Sequence, residues 1–290
     1  MTEQAPTAHP STDAHGSTGG DTATGAVPTT GAVTSAAAGT SAAPRSNASV
    51  SLPSGLTADQ LPRHVAMIMD GNGRWARSRG LTRSDGHRAG AKAVRRVVVR
   101  CRELEIPYLT LYAFSAQNWK RPANEVSQLM ALLVEFCEGE RSLLTDKEIR
   151  FRVIGDKARL PEEARQAVSF LEEYTADHAR MQLVLALSYG GREELVHAAR
   201  RIADEVASGA LRPEDITEDV VAARLWTADI PDPDVVVRSS GELRVSNFLL
   251  WQIAYAELIS DRRGWPEFDA AAFDDAVTEF ARRNRRFGGV

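Results

Sequence analysis

The chain has 290 residues, 43% of them apolar and 26% charged, with a formal net charge of −4. That balance excludes a general electrostatic attraction to nucleic acid, so any basic site must be local. No apolar run approaches the roughly 18 residues that would span a bilayer, which leaves only peripheral contact with a membrane.

Residues 1–55 are dominated by Ala, Thr, Ser, Gly and Pro, carry no aromatic residue, and hold charges only at Glu3, Asp13, Asp21 and Arg45. Such a segment cannot bury enough apolar surface to offset its chain entropy and is expected to be a disordered tail. It has neither the apolar stretch of a secretory signal nor the arginines of an organelle transit sequence. Residues 56–290 have the mixed texture of one α/β domain with a substantial core.

Strand-like segments at 64–70, 108–115, 149–155, 181–188 and 234–239 alternate with helical patterns, the rhythm of crossover units in a parallel sheet with helices on both faces. In the first of them, the apolar run His64–Met69 ends at Asp70, and Gly71-Asn72-Gly73 precede Arg74 and Trp75, which open a helix. Turn N–H groups and a helix N-terminus suit an anion, Arg74 adds charge, and Asp70 is placed to hold Mg²⁺ against phosphate oxygens. An ordinary βα turn with an Asp cap accounts for the same residues equally well. Arg83-Ser84-Asp85-Gly86-His87 begins the next helix, which runs from about His87 to Leu104 with Ala91, Val94, Val98 and Cys101 on one core-facing stripe.

After the apolar run Tyr108–Ala113, the stretch Phe114-Ser115-Ala116-Gln117-Asn118-Trp119-Lys120-Arg121-Pro122 reads as a mobile loop that covers a substrate, or as a loop that its aromatic residues merely pin down. The helix expected over 124–144 carries Val126, Leu129, Met130, Leu132, Leu133 and Phe136, more apolar surface than one packing stripe needs. A sandwich between the sheet and another helix is the simpler account, and a greasy ligand is the other. Helices follow at 161–176, 192–208 and 269–285. Ser188-Tyr189-Gly190-Gly191-Arg192 is either a second anion cradle or plain turn chemistry.

The run from Arg238 to Phe248 sets two arginines and several hydroxyls around Gly241, a combination that suits a diphosphate clamp, a structural ion-pair network being the other account. Glu257 stands in apolar surroundings, which is costly unless it meets a cation or a metal. Cys101 and Cys137 lie in helical patterns with no ligand spacing, so buried free thiols in a reducing cytoplasm are expected.

Taken together, HVAMIMDGNGRWA, GHRAG, LTLYAFSAQNWKRP, YGGR, RSSGELRVSNFLLWQIAYAEL and WPEF resemble the ordered motif set of the cis-prenyltransferases of the bacterial undecaprenyl diphosphate synthase type, over about residues 61–289. The resemblance implies a six-stranded, mostly parallel sheet flanked by helices, a hydrophobic tunnel and a homodimer. The implied reaction is repeated addition of isopentenyl diphosphate, with Z geometry, to an allylic diphosphate such as farnesyl diphosphate. By similarity, Asp70 places Mg²⁺ and helps the allylic diphosphate leave. Gly71, Asn72, Gly73, Arg74, Trp75, Arg83 and His87 hold that diphosphate. Arg238, Arg244 and Ser246 clamp the isopentenyl diphosphate, Glu257 is metal-associated, and Asn118, Trp119 and Arg121 belong to the catalytic loop.

Three positions depart from the family pattern. Gln117 replaces a usual Glu, Leu243 replaces a residue that can be polar, and Ile259–Gly264 replaces a more apolar run. Along the expected tunnel, Ala113 leaves room for elongation while Phe151 fills space, and an undecaprenyl-type product is expected. A short-chain Z-prenyl synthase and a catalytically silent, prenyl-binding partner subunit are the alternatives. A nucleotide-binding module ranks last, because the turn lacks GxGxxG and GxxxxGK[ST] spacing.

Overall fold

The computed structural model describes residues 52, 53 and 55–283. Most of the expected tail, and the run Arg285-Arg286-Phe287-Gly288-Gly289 that closes the resemblance, lie outside these residues. Leu52, counted with the tail from composition, packs against the main core.

In chain order the elements are β1 (His64–Ile68), α1 (Asn72–Ser78), α2 (Arg83–Glu103), β2 (Tyr108–Ser115), α3 (Ala123–Gly139), α4 (Arg141–Asp146) and β3 (Ile149–Ile154). They continue with α5 (Glu162–Tyr174), β4 (Met181–Tyr189), α6 (Gly191–Ala207), α7 (Glu218–Ala222), β5 (Val235–Arg238), β6 (Glu257–Ser260) and α8 (Ala270–Arg282). The six strands form one sheet in the order β3-β4-β2-β1-β5-β6. Every neighbouring pair is parallel. The expectation of a mostly parallel sheet is met by one that is parallel throughout.

All five residues of β1 are buried, as a central parallel strand covered on both faces requires. Its alternate side chains feed two cores. Val65 and Met67 join the larger one with Val97, Cys101, Leu133, Val168 and Phe273, whereas Ala66 and Ile68 join a smaller one with Tyr189, Phe248 and Leu249.

Several boundaries differ from the sequence reading. The second helix starts at Arg83, four residues early, because Thr82 and Asp85 close a capping box: the Asp85 N–H donates to Thr82 Oγ1 at 3.2 Å and the Thr82 N–H donates to Asp85 Oδ2 at 3.0 Å. In α2 the buried stripe runs through Gly86, Gly90, Ala93, Val97, Val98 and Cys101, while Ala91 and Val94 turn to a cavity. The single helix expected over 124–144 breaks at Glu140 into α3 and α4. Strand β6 and helix α7 were not placed from sequence. With four and five residues, each is too short to display a period.

Candidate active site

The ladder of β1 stops at Ile68, and Asp70 is carried just beyond it. There its N–H donates to Ser239 Oγ at 2.8 Å and its carbonyl accepts the Trp265 N–H at 2.8 Å. Gly71 follows with φ of 100°, and a Cβ on it would come within 2.8 Å of Ser240 Oγ and 3.0 Å of Gly264 Cα. Only glycine satisfies both the left-handed backbone and that close approach. The chain then enters α1, so Arg74 sits one turn above Asp70 on the same side.

Strand β5 pairs its last residue, Arg238, with Ile68, and the two chains leave the sheet side by side. This is the switch point of the sheet, with β2 on one side of β1 and β5 on the other, where open parallel sheets place ligands. Arg238 Nη2 donates to Asp70 Oδ2 at 2.7 Å, Arg74 Nη2 lies 3.3 Å from the same oxygen, and Arg244 Nη2 lies at 3.9 Å. One carboxylate is thus ringed by three guanidiniums. Burial alone would raise the Asp70 carboxyl, but the hydrogen bond and charge of Arg238, the Gly71 N–H and the charge of Arg74 outweigh it and hold it below the ordinary carboxylate value.

Arg238 is buried and also donates through Nη1 to Ser246 Oγ at 2.8 Å and to the Arg244 carbonyl. The loop carrying these groups is bent through left-handed backbone at Ser240 (76°), Ser246 (50°), Asn247 (63°) and Leu249 (46°). Non-glycine residues persist there only when their surroundings over-determine the geometry. Two neighbours do so: Ser240 and Gly241 donate their N–H groups to the carbonyls of Arg263 and Asp261, each at 2.7 Å. The Ile259–Gly264 stretch, a departure from the family pattern, therefore braces the arginine loop.

A second cationic wall faces the first. Glu125, at the start of α3 and 8% exposed, holds Arg121 Nη1 at 2.8 Å, Arg83 Nε at 3.1 Å and His87 Nε2 at 3.6 Å. Burial lowers the His87 pKa, the Glu125 charge opposes that, and Arg121 and Arg83 add to it, with a net lowering. His87 is therefore neutral at pH 7.

Between the walls opens a cavity of about 550 Å³. Its mouth is formed by Asp70, Gly71, Asn72, Gly73, Arg74, Arg83, His87, Asn118 and Arg121, and its depth by apolar side chains including Ala113, Leu129, Leu133 and Phe136. The excess apolar surface of α3 therefore lines a cavity, in addition to packing against α5 and α2. Phe151 is fully buried, with its ring 6.3 Å from that of Phe136.

Residues 68–288 match the family model described as "Putative undecaprenyl diphosphate synthase". The chain belongs to the undecaprenyl diphosphate synthase family. An isoprenyl transferase of Geobacter sulfurreducens is 49% identical over 81% of this chain and 95% of its own length. One from Rhizobium meliloti is 50% identical over 79% and 93%. Among solved structures, lavandulyl diphosphate synthase from Lavandula x intermedia, in complex with dimethylallyl diphosphate, superposes with a TM-score of 0.78 at 40% identity, covering 79% of this chain and 99% of that one. A "probable undecaprenyl diphosphate synthase" from Campylobacter jejuni gives a TM-score of 0.65 at 32% identity, with 78% and 98% covered. The protein is a prenyltransferase.

Three side chains expected at the site of this prenyltransferase lie elsewhere. Trp75 does not line the cavity, and Arg79 stacks 4.5 Å over its ring. Trp119 turns away too, packing on Phe114 and donating from Nε1 to Ser188 Oγ at 2.9 Å. Glu257, expected beside Asp70 as a metal ligand, pairs in register with Val235 at the opening of β5, whereas Asp70 lies past its end. Three residues of strand separate those ends by about 10 Å, and Glu257 Oε2 instead meets Arg283 Nη1 at 2.8 Å. Among the described residues no group of three His, Cys, Asp or Glu side chains could hold a metal.

Asn118 lines the cavity, and its Oδ1 accepts the Ser115 N–H at 3.0 Å. Gln117 donates to Glu193 Oε1 at 3.1 Å, outside the cavity. A Glu in its place would set two carboxylates against each other, so the amide suits this neighbour. Glu125 and Tyr112 were missed by the sequence reading. Glu125 had a signal, its spacing of four from Arg121, whereas Tyr112 Oη donates to the Tyr189 and Ser246 carbonyls, a tertiary contact without sequence trace.

Proposed function

We propose that this prenyltransferase elongates an allylic diphosphate, farnesyl diphosphate being the expected primer, by condensing it with isopentenyl diphosphate in Z geometry. The observation that carries the reading is one ionised carboxylate among Arg74, Arg238 and Arg244 at the mouth of an apolar cavity. Breaking an allylic C–O bond leaves negative charge on diphosphate and positive charge on carbon. Guanidiniums and turn N–H groups suit the first, and an apolar, water-poor tunnel protects the second. In this reading Gly71–Arg74, Arg83, His87, Asn118 and Arg121 face the allylic diphosphate, and Arg238, Arg244 and Ser246 face the isopentenyl diphosphate.

A single carboxylate is too sparse for a preformed all-protein cage. It fits Mg²⁺ that arrives with diphosphate, because Mg²⁺ is commonly bound by one or two carboxylates together with substrate phosphates and water. Bound there, Mg²⁺ would neutralise charge developing on the leaving diphosphate. Asp70 would hold it, while Glu257 is engaged by Arg283 in the single chain.

Asp70→Ala is expected to lower kcat with farnesyl and isopentenyl diphosphates by roughly 100-fold or more, and unchanged turnover would refute the assignment. A short-chain product is the second reading, favoured by the Phe136 ring standing at the cavity wall against Phe151. Mass spectrometry of the products decides between it and an undecaprenyl-type chain. Leu243 and Tyr255, 73% and 77% exposed, support a homodimer in solution, which sedimentation checks. The buried free thiols Cys101 and Cys137 suit a reducing cytoplasm.

A further inference from the structure

A second cavity, of about 730 Å³, opens at the carboxyl ends of β3 and β4. Its lining includes Lys157, Arg159, Arg192 and Arg200, against the carboxylates of Asp156 and Glu193. Lys157 is engaged by Glu172 at 2.9 Å. Among the described residues, Arg159, Arg192 and Arg200 form no ion pair. Glu193 accepts hydrogen bonds from the side-chain amides of Gln117 and Asn247 at 3.1 and 2.8 Å. The N-terminus of α6 is likewise satisfied, since Asn247 accepts the Gly191 and Arg192 N–H groups at 2.7 and 2.9 Å. Three arginines that form no ion pair among the described residues thus line one concavity with two carboxylates, Asp156 and Glu193, leaving an excess of positive charge that suits an anion.

We propose that this cavity is a second binding site for a diphosphate, separate from the cleft at Asp70. Guanidiniums recognise phosphate oxygens in a fixed fork, and three of them match an anion with several such oxygens better than a lone carboxylate. The two cavities share a wall. Ala116 lines the second and Asn118 the first, while Trp119 is pinned from the second side by Ser188 at 2.9 Å and by Arg159, 5.4 Å over its ring. An anion that engages Arg159 therefore changes the surroundings of Trp119, so the site also reports to the segment beside Asn118.

Calorimetric titration of the full chain with inorganic diphosphate tests the proposal. The wild type is expected to bind one equivalent more than R192A/R200A, which is altered only at exposed side chains, and Arg238→Ala is expected to keep that extra equivalent while losing affinity in the Asp70 cleft. That extra equivalent is also expected to change tryptophan emission through Trp119 and the cavity-lining Trp226, and Trp119→Phe to reduce that signal while binding persists. Equal stoichiometry in the wild type and R192A/R200A overturns the second site and leaves the reading of the Asp70 cleft intact. Parallel titration with isopentenyl diphosphate separates the two sources. An equivalent lost in R192A/R200A with inorganic diphosphate alone identifies the released by-product as ligand, and one lost with both compounds identifies the diphosphate group irrespective of its tail. Either result upholds the site.

Discussion

Glu125 shows how one side chain can organise a site without facing the cavity. It draws Arg83, His87 and Arg121, three groups that repel one another when charged, onto one wall. Glu125→Gln keeps the shape and removes the charge that gathers them. Misplaced cations cost turnover more than folding, so kcat is expected to fall roughly ten- to hundredfold, with a cooperative unfolding transition retained. The pH readout has a definite sign. Burial lowers the His87 pKa and the Glu125 charge partly restores it, so the substitution is expected to move the His87 titration midpoint further down in NMR. An upward or unchanged midpoint would contradict this electrostatic assignment.

At the scale of elements, α1 and α2 are held together by the absence of side chains. A Cβ on Gly86 would lie 2.3 Å from the Asn72 carbonyl oxygen, and one on Gly90 would lie 2.6 Å from Asn72 Oδ1. Backbone cannot yield as a flexible side chain can. Gly86→Ala is therefore expected to destabilise the fold by about 1–3 kcal/mol, measured by urea unfolding. It should also raise the KM for the allylic substrate, because the displaced turn carries Asn72, Gly73 and Arg74. A normal KM in a destabilised variant would separate packing from positioning. The same element view accounts for the helix break at Glu140: α3 needs one face for the cavity and another for α5 and α2, and α4 leads on to β3.

At the scale of the whole molecule, Trp265 joins regions distant in sequence. It is fully buried, donates from Nε1 to the Gly90 carbonyl at 2.9 Å, and donates its N–H to the Asp70 carbonyl. Trp265→Ala is expected to cost about 3–5 kcal/mol in chemical denaturation. Turnover per folded molecule should fall as well, because the Asp70 turn loses its brace. The sequence by itself determined the parallel α/β class, five of the six strands and the clustering of Asp70, Arg74, Arg238 and Arg244 at strand ends, because strand–helix alternation, glycine turns and charged termini are local patterns. Only the tertiary structure decided that Glu257 faces Arg283, that Trp75 and Trp119 turn from the cavity, and that Glu125 collects two arginines and His87. Those outcomes depend on strand register and on which side of a wall a side chain emerges, and both are set by contacts between residues far apart in the chain.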